Sequence, residues 1–234
     1  MKNPIRKGIK KEFKKYPKRS ALTIILLFTL IVAFIFAIIQ NNWVSVIFIF
    51  VIACLIFLPM MIARLSHIDL PIALEMFAVI FIYASLFLGE LNNYYAKFFW
   101  WDILLHIGAG LAFGVMGFII LYILYKTKKV KTSPKMIAMF TFAFALAIGA
   151  LWEIVEFSID QLFGPISNHA FMQTQVNNCG LIDTMKDLID DSIGALFTSI
   201  MGYLYLKWDS GIVIKQMTKE FKKDNPRLFK KRKK

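Results

Sequence analysis

Apolar residues run along this chain in long, nearly continuous blocks rather than at the alternating or helical-face positions of a soluble fold. Six blocks stand out, at 21–39, 44–63, 71–88, 103–125, 136–157 and 188–206. Each holds about 18 residues or more, the length an α-helix needs to cross a hydrocarbon core of roughly 30 Å. A membrane β-barrel does not fit, because its strands alternate apolar and polar positions over about ten residues. The fold class predicted is all-α, a polytopic transmembrane helical bundle of six spans. The connections between blocks are too short for a soluble domain. The expected organisation is a tail over 1–20, a transmembrane domain over 21–206 and a second tail over 207–234.

Composition and charge orient this arrangement. The chain is 58% hydrophobic and has 28 Lys and Arg against 15 Asp and Glu, a net +13. In a soluble protein that excess would point to nucleic acid. Here the cations lie almost wholly outside the apolar blocks, so the expected partner is the lipid bilayer and not nucleic acid. Nine cations fall in 1–20, one is Arg64, five fall in 126–135 and eleven lie from Lys207 onward; only Lys97 and Lys186 are left. Short cytoplasmic segments carry the excess of Lys and Arg, so both termini are expected in the cytoplasm, where the basic tails would meet anionic lipid. The first block does not read as a signal peptide. It is too long, and it ends in Gln40-Asn41-Asn42-Trp43 with no small-residue cleavage pattern. Cys54 lies inside a span and Cys179 in an outer loop, which makes a disulfide between them improbable.

The acids are clustered. Asp102 opens the fourth block, Glu153, Glu156 and Asp160 close the fifth, and Asp183, Asp187, Asp190 and Asp191 open the sixth. In antiparallel neighbours those three ends share the outer membrane level. At about 100° per residue, Asp102 and His106 lie one turn apart on one face, and Glu153, Glu156 and Asp160 share another. Asp183, Asp187 and Asp190 share a third, with Asp191 off that stripe. Gly149 and Gly194 lie on the acidic faces and suggest close approach of the fifth and sixth helices, while Gly110 and Gly114 form a small-xxx-small step on the fourth.

Solvated helix ends would explain Asp102 and Asp183, which stand where an N-cap is expected and where the helix dipole favours an acid. The same reading fails for Glu153 and Glu156, which it places at a helix C-terminus in a wholly apolar sequence. An ionised side chain at the bilayer centre costs about 2.5–3.5 kcal/mol on insertion scales. Such a cluster must be hydrated, partly protonated or neutralised, and only Lys97 and Lys186 are expected on its side. Carboxylates joined by an imidazole suit a divalent cation, Mg²⁺, Mn²⁺, Ca²⁺ or Zn²⁺, and helix bundles build metal sites from such pairs. The candidate metal ligands are Asp102, His106, Glu153, Glu156, Asp160, Asp183 and Asp187, with His106, Glu153 and Glu156 as candidate catalytic groups. His106 is the strongest single candidate. His169 reads as a loop residue, His67 lies on the cytoplasmic side, and Glu75 is expected to face another helix or to snorkel.

Three motifs in order resemble a known family. They are Phe99-Trp100-Trp101-Asp102 with His106 after Leu88-Gly89-Glu90, then Gly149-Ala150-Leu151-Trp152-Glu153 with Glu156 and Asp160, then Gly180-Leu181-Ile182-Asp183 with Asp187 and Gly194-Ala195. This is similar to the YjdF-like predicted bacterial membrane proteins, a domain of unknown function, and more distantly to VanZ-like proteins. The resemblance implies a bacterial plasma-membrane protein and supplies no reaction. From the residues, one expectation is a membrane-embedded metal-dependent hydrolase or transferase on a lipid or envelope substrate. The alternatives are a structural or partner-binding membrane protein with a polar network, and a cation-binding transporter.

Overall fold

The computed structural model describes residues 17–66, 68–167, 180–208 and 212–229, with side chains 64, 163–167 and 213 left aside. His67, His169 and Cys179 lie outside the described residues. Among those described there is no strand: the chain is all-α. It divides into two compact units, 1–93 and 94–234.

The first unit holds α1 (Pro17–Ile39), α2 (Trp43–Leu55), α3 (Leu58–Ser66) and α4 (Ile72–Ile82), the last continuing as a π-helix over Tyr83–Leu91. The turn after α1 is set by two asparagines. Asn41 takes φ 53°, a left-handed conformation that asparagine tolerates better than most residues, and the Asn42 side chain accepts from the Ser45 amide to cap α2. The second apolar block is one stretch in sequence yet two helices in structure. They part at Ile56 and Phe57, just before Pro59, whose missing N–H suits the first turn of α3 and no helix interior. Leu30, Ala37, Ile49, Ile52, Ile56, Val79 and Phe87 form the core of this unit. Beside it Arg19 of α1 and Glu75 of α4 form a buried ion pair, so Glu75 faces another helix, as one of its two sequence readings has it.

The second unit holds α5 (Tyr94–Lys97), α6 (Trp101–Lys126), α7 (Pro134–Ser167), α8 (Gly180–Trp208) and α9 (Ile212–Asp224), then a 3₁₀ turn over Pro226–Phe229. Helices α6, α7 and α8 all pack on one another. Small residues let them do so. A Cβ on Gly110 would overlap the Asp191 carbonyl of α8, and one on Gly194 would overlap the Ile107 carbonyl of α6. One on Gly149 would overlap the Asp191 carboxylate. Gly194 therefore opens α8 to α6, whereas the sequence assigned it to the contact with the fifth helix. Hydroxyls add bonds between helices, Thr198 Oγ1 to the Leu111 carbonyl at 3.2 Å and Ser199 Oγ to the Ala138 carbonyl at 2.7 Å.

Among the described residues, five helical stretches are long and apolar enough to cross a membrane: Pro17–Ile39, Trp43–Ala63, Ile72–Leu91, Trp101–Lys126 and Pro134–Leu162. The sequence reading has six. The difference is α8, which at 29 residues is long enough but carries four aspartates in its first half. Composition treats those acids alike whichever way they point. In the fold Asp187 and Asp191 are buried, while Leu181, Ile182, Met185, Ile189, Ile193, Phe197 and Ile200 form an exposed apolar face. The segment after Lys207 also departs from a plain basic tail. Ile214, Met217 and Phe221 of α9 are buried, and the Phe221 ring meets Phe229 edge-on.

Two predictions follow from these contacts. Replacing Gly110 by Val should destabilise the second unit by about 1–3 kcal/mol, the usual range for overpacking. Leu104→Val on the exposed face of the same helix should change it by less than about 0.5 kcal/mol; thermal melting in detergent reads both. In the first unit, Glu75→Gln or Arg19→Met alone removes one member of the buried ion pair and should cost about 3–5 kcal/mol. The double variant Arg19→Met with Glu75→Met should recover most of that loss in the same assay.

Candidate metal centre

The three packed helices carry their acids to one level. Helix α6 supplies Asp102 and His106, one turn apart; α7 supplies Glu153 and Glu156; α8 supplies Asp187 and, one turn on, Asp191. His106, Glu153, Glu156, Asp187 and Asp191 are all under a tenth exposed, whereas the Asp102 side chain is 32% exposed. Nε2 of His106 lies 3.6 Å from Oδ1 of Asp102 and 3.8 Å from Oδ1 of Asp187, and its Nδ1 lies 3.5 Å from Oδ1 of Asp191. These separations exceed the usual 2.7–3.2 Å of a hydrogen bond. The imidazole thus sits loosely among three carboxylates, two on one ring nitrogen and one on the other.

The donor atoms fall into two sets that could hold a metal ion. Those of Asp102, His106 and Asp187 all lie within 4.8 Å of one another, as do those of Glu153, Glu156 and Asp187. Asp187 belongs to both. Oxygen and nitrogen donors bind divalent cations at about 2.0–2.6 Å, so two donors of one cation are at most about 4–5 Å apart. Either set can converge on one ion with little side-chain movement. Of the sequence-predicted ligands, Asp102, His106, Glu153, Glu156 and Asp187 are brought together. Asp160 and Asp183 are half-buried and belong to neither set.

The helix ends differ from the sequence expectation in two places. Asp102 and Asp183 are not N-caps: Trp100 takes the cap position of α6, and α8 begins at Gly180, so each acid lies inside the first turn. The dipole still favours them there. Glu153 and Glu156 are not at a helix end, because α7 runs on to Ser167, about three turns beyond Glu156. Their cost comes from burial and from neighbouring carboxylates, not from an opposing dipole.

Asp191 is the residue that sequence reasoning set aside. It is 2% exposed, the most buried of the cluster. The stripe drawn through Asp183, Asp187 and Asp190 was centred on the acids. The face that α8 buries is centred instead on Asp187, Asp191, Gly194, Ala195, Thr198 and Gly202. On that face Asp191 is central, and Asp190 lies about 100° away. Extending the stripe through the small residues of Gly194 to Gly202 would have found it.

Comparison with known proteins agrees with a membrane helical chain and adds no chemistry. An uncharacterised protein of Thermotoga maritima is 29% identical over 142 residues, covering 59% of this chain and 66% of that relative. This chain therefore spans slightly less than two thirds of that protein. No solved structure matches. Residues 22–208 match the predicted membrane protein family DUF2238, in keeping with the YjdF-like motifs, and with the match running over most of its length the chain belongs to that family.

Proposed function

We propose that this is a six-span membrane protein with cytoplasmic termini that binds a divalent cation between α6, α7 and α8 near the outer face. The cation serves a metal-dependent hydrolase or transferase reaction on a lipid or envelope substrate. One observation carries the reading: His106 and four carboxylates from three helices lie within ligating reach, with Asp187 common to both donor sets. Buried carboxylates in a low-dielectric bundle repel one another unless protonated or matched by positive charge. A divalent ion matches two of them at once and uses the imidazole as well. One nitrogen among oxygens favours Mn²⁺ or Zn²⁺ over Mg²⁺ or Ca²⁺. Asp102, His106 and Asp187 would hold the ion, with Glu153 and Glu156 beside it. When bound, such an ion supplies an acidified water and a Lewis acid for a phosphoryl or carbonyl oxygen. Reading α8 as the sixth span rests on its inward acids and outward apolar face. The orientation rests on the 26 cations assigned to one side.

Single cysteines in a Cys54→Ala, Cys179→Ala background test the topology. Asn42→Cys and Asn93→Cys should react with an impermeant maleimide in intact cells, and Lys128→Cys only after lysis. The opposite pattern reverses the orientation.

Melting in detergent tests the cation. Excess Mn²⁺ or Zn²⁺ should stabilise the wild type relative to chelator, by about 2.7 kcal/mol at a hundred times Kd. His106→Ala, Asp187→Asn, Glu153→Gln and Glu156→Gln should each lose that gain, while Glu90→Gln should keep it. In chelator the three amide variants should melt no lower than wild type, because each removes a buried charge. Identical melting of wild type in chelator and in every cation would leave only a polar network.

A further inference from the structure

We propose that Asp191 is the positioning residue of this centre. From a notch formed by two glycines it holds the Nδ1–H of His106 and thereby presents Nε2 to the cation. The inference rests on the cation reading above and concerns a residue outside both donor sets.

The two nitrogens of His106 have different surroundings. Nε2 faces Asp102 and Asp187, the carboxylates that share its donor set, and Nδ1 faces Asp191 alone among the ion pairs of this ring. A ligating histidine must offer a bare nitrogen on one side, so its proton is on the other. A carboxylate at that second nitrogen fixes both tautomer and ring orientation. Asp191 stands where that carboxylate is needed.

The notch explains why the carboxylate stays there. Gly149 of α7 has no side chain, and a Cβ on it would overlap Oδ2 of Asp191 and lie 2.8 Å from its Cγ. The backbone of Asp191 is seated in the same way on Gly110 of α6. The residue is therefore gripped by both neighbouring helices, its carboxylate between the Gly149 backbone and the imidazole. Oδ2 has no hydrogen-bond partner among the described residues. Leaving a buried acceptor bare costs about 1–3 kcal/mol, and more for a charged one. Among the described residues, the ion pair of the Asp191 carboxylate is with His106. Its oxygen Oδ1 is committed to the ring and Oδ2 to nothing else, as expected of a group kept for orientation. A bound ion at Nε2 would draw the ring into register and close the 3.5 Å gap to a hydrogen bond, since such contacts are often long before the ligand binds.

The test uses the full chain in detergent, titrated with Mn²⁺, as wild type, Asp191→Asn, Asp191→Leu and Gly149→Ala. Each is also loaded with Co²⁺, and proton NMR spectra in H₂O and D₂O detect the exchangeable ring N–H shifted by the metal. Asparagine keeps an acceptor oxygen for Nδ1–H, so Asp191→Asn should bind Mn²⁺ within a few fold of wild type and keep a slowly exchanging N–H signal. Asp191→Leu fills the same space without an acceptor and should bind about 10–100-fold more weakly, the usual effect of losing such a partner, with the N–H signal exchange-broadened. Gly149→Ala changes no site residue, but its Cβ would push the Asp191 carboxylate off the ring, and it should behave like the leucine variant. Leucine binding as tightly as wild type, or asparagine binding as weakly as leucine, overturns the proposal. If the leucine variant does not fold, wild-type affinity in Gly149→Ala overturns it instead. A wild type that binds no Mn²⁺ removes the cation reading as well. A wild type that binds it while all three variants match removes Asp191 alone.

Discussion

Ionisable groups inside a medium that cannot solvate them are the constraint from which the rest of this molecule follows. An exposed carboxylate is cheap in water and expensive in hydrocarbon, so an acid deep within the apolar helices is driven to turn inward. In the second unit α8 has this arrangement for two of its aspartates. Its aspartates at 187 and 191 are buried while isoleucine, leucine, methionine and phenylalanine side chains cover the opposite face. Once the rotation is set, the polar face must be covered by neighbours, and α6 and α7 cover it.

Close approach is the second consequence. Between membrane helices there is no hydrophobic gain to drive association, so packing and hydrogen bonds have to suffice. Glycines 110, 149 and 194 bring the helix axes near enough for the acids to meet one histidine, and the hydroxyls of Thr198 and Ser199 bond to backbone carbonyls across the seams. The first unit meets the same constraint differently. There the buried acid, Glu75, has a cation of the same unit in Arg19. Matched charge within the fold makes that a structural pair. The second unit gathers three carboxylates around one imidazole and two more beside Asp187, and this contrast points to a cation from outside.

Membership in DUF2238 gives a predicted membrane protein, and the Thermotoga relative is uncharacterised. The donor types and their spacing are therefore what this molecule offers as evidence about its chemistry.

Much of this was legible in the chain. Continuous apolar blocks dictate helices because backbone groups in lipid must be paired within the segment, and the spacing of Asp102, His106, Glu153, Glu156 and Asp187 placed them on common faces without coordinates. Other features depended on three dimensions. The buried side of α9 turns on where chain meets chain, which periodicity does not encode; the break before Pro59 was there to be read in that residue. Asp191 and Asp190 are neighbours in sequence with the same side chain, and no property of either distinguishes them. Only the seating of Gly194 on α6 and of Asp191 against Gly110 and Gly149 fixes the rotation of α8 that buries Asp191 beside His106 and leaves Asp190 about 100° away at the edge.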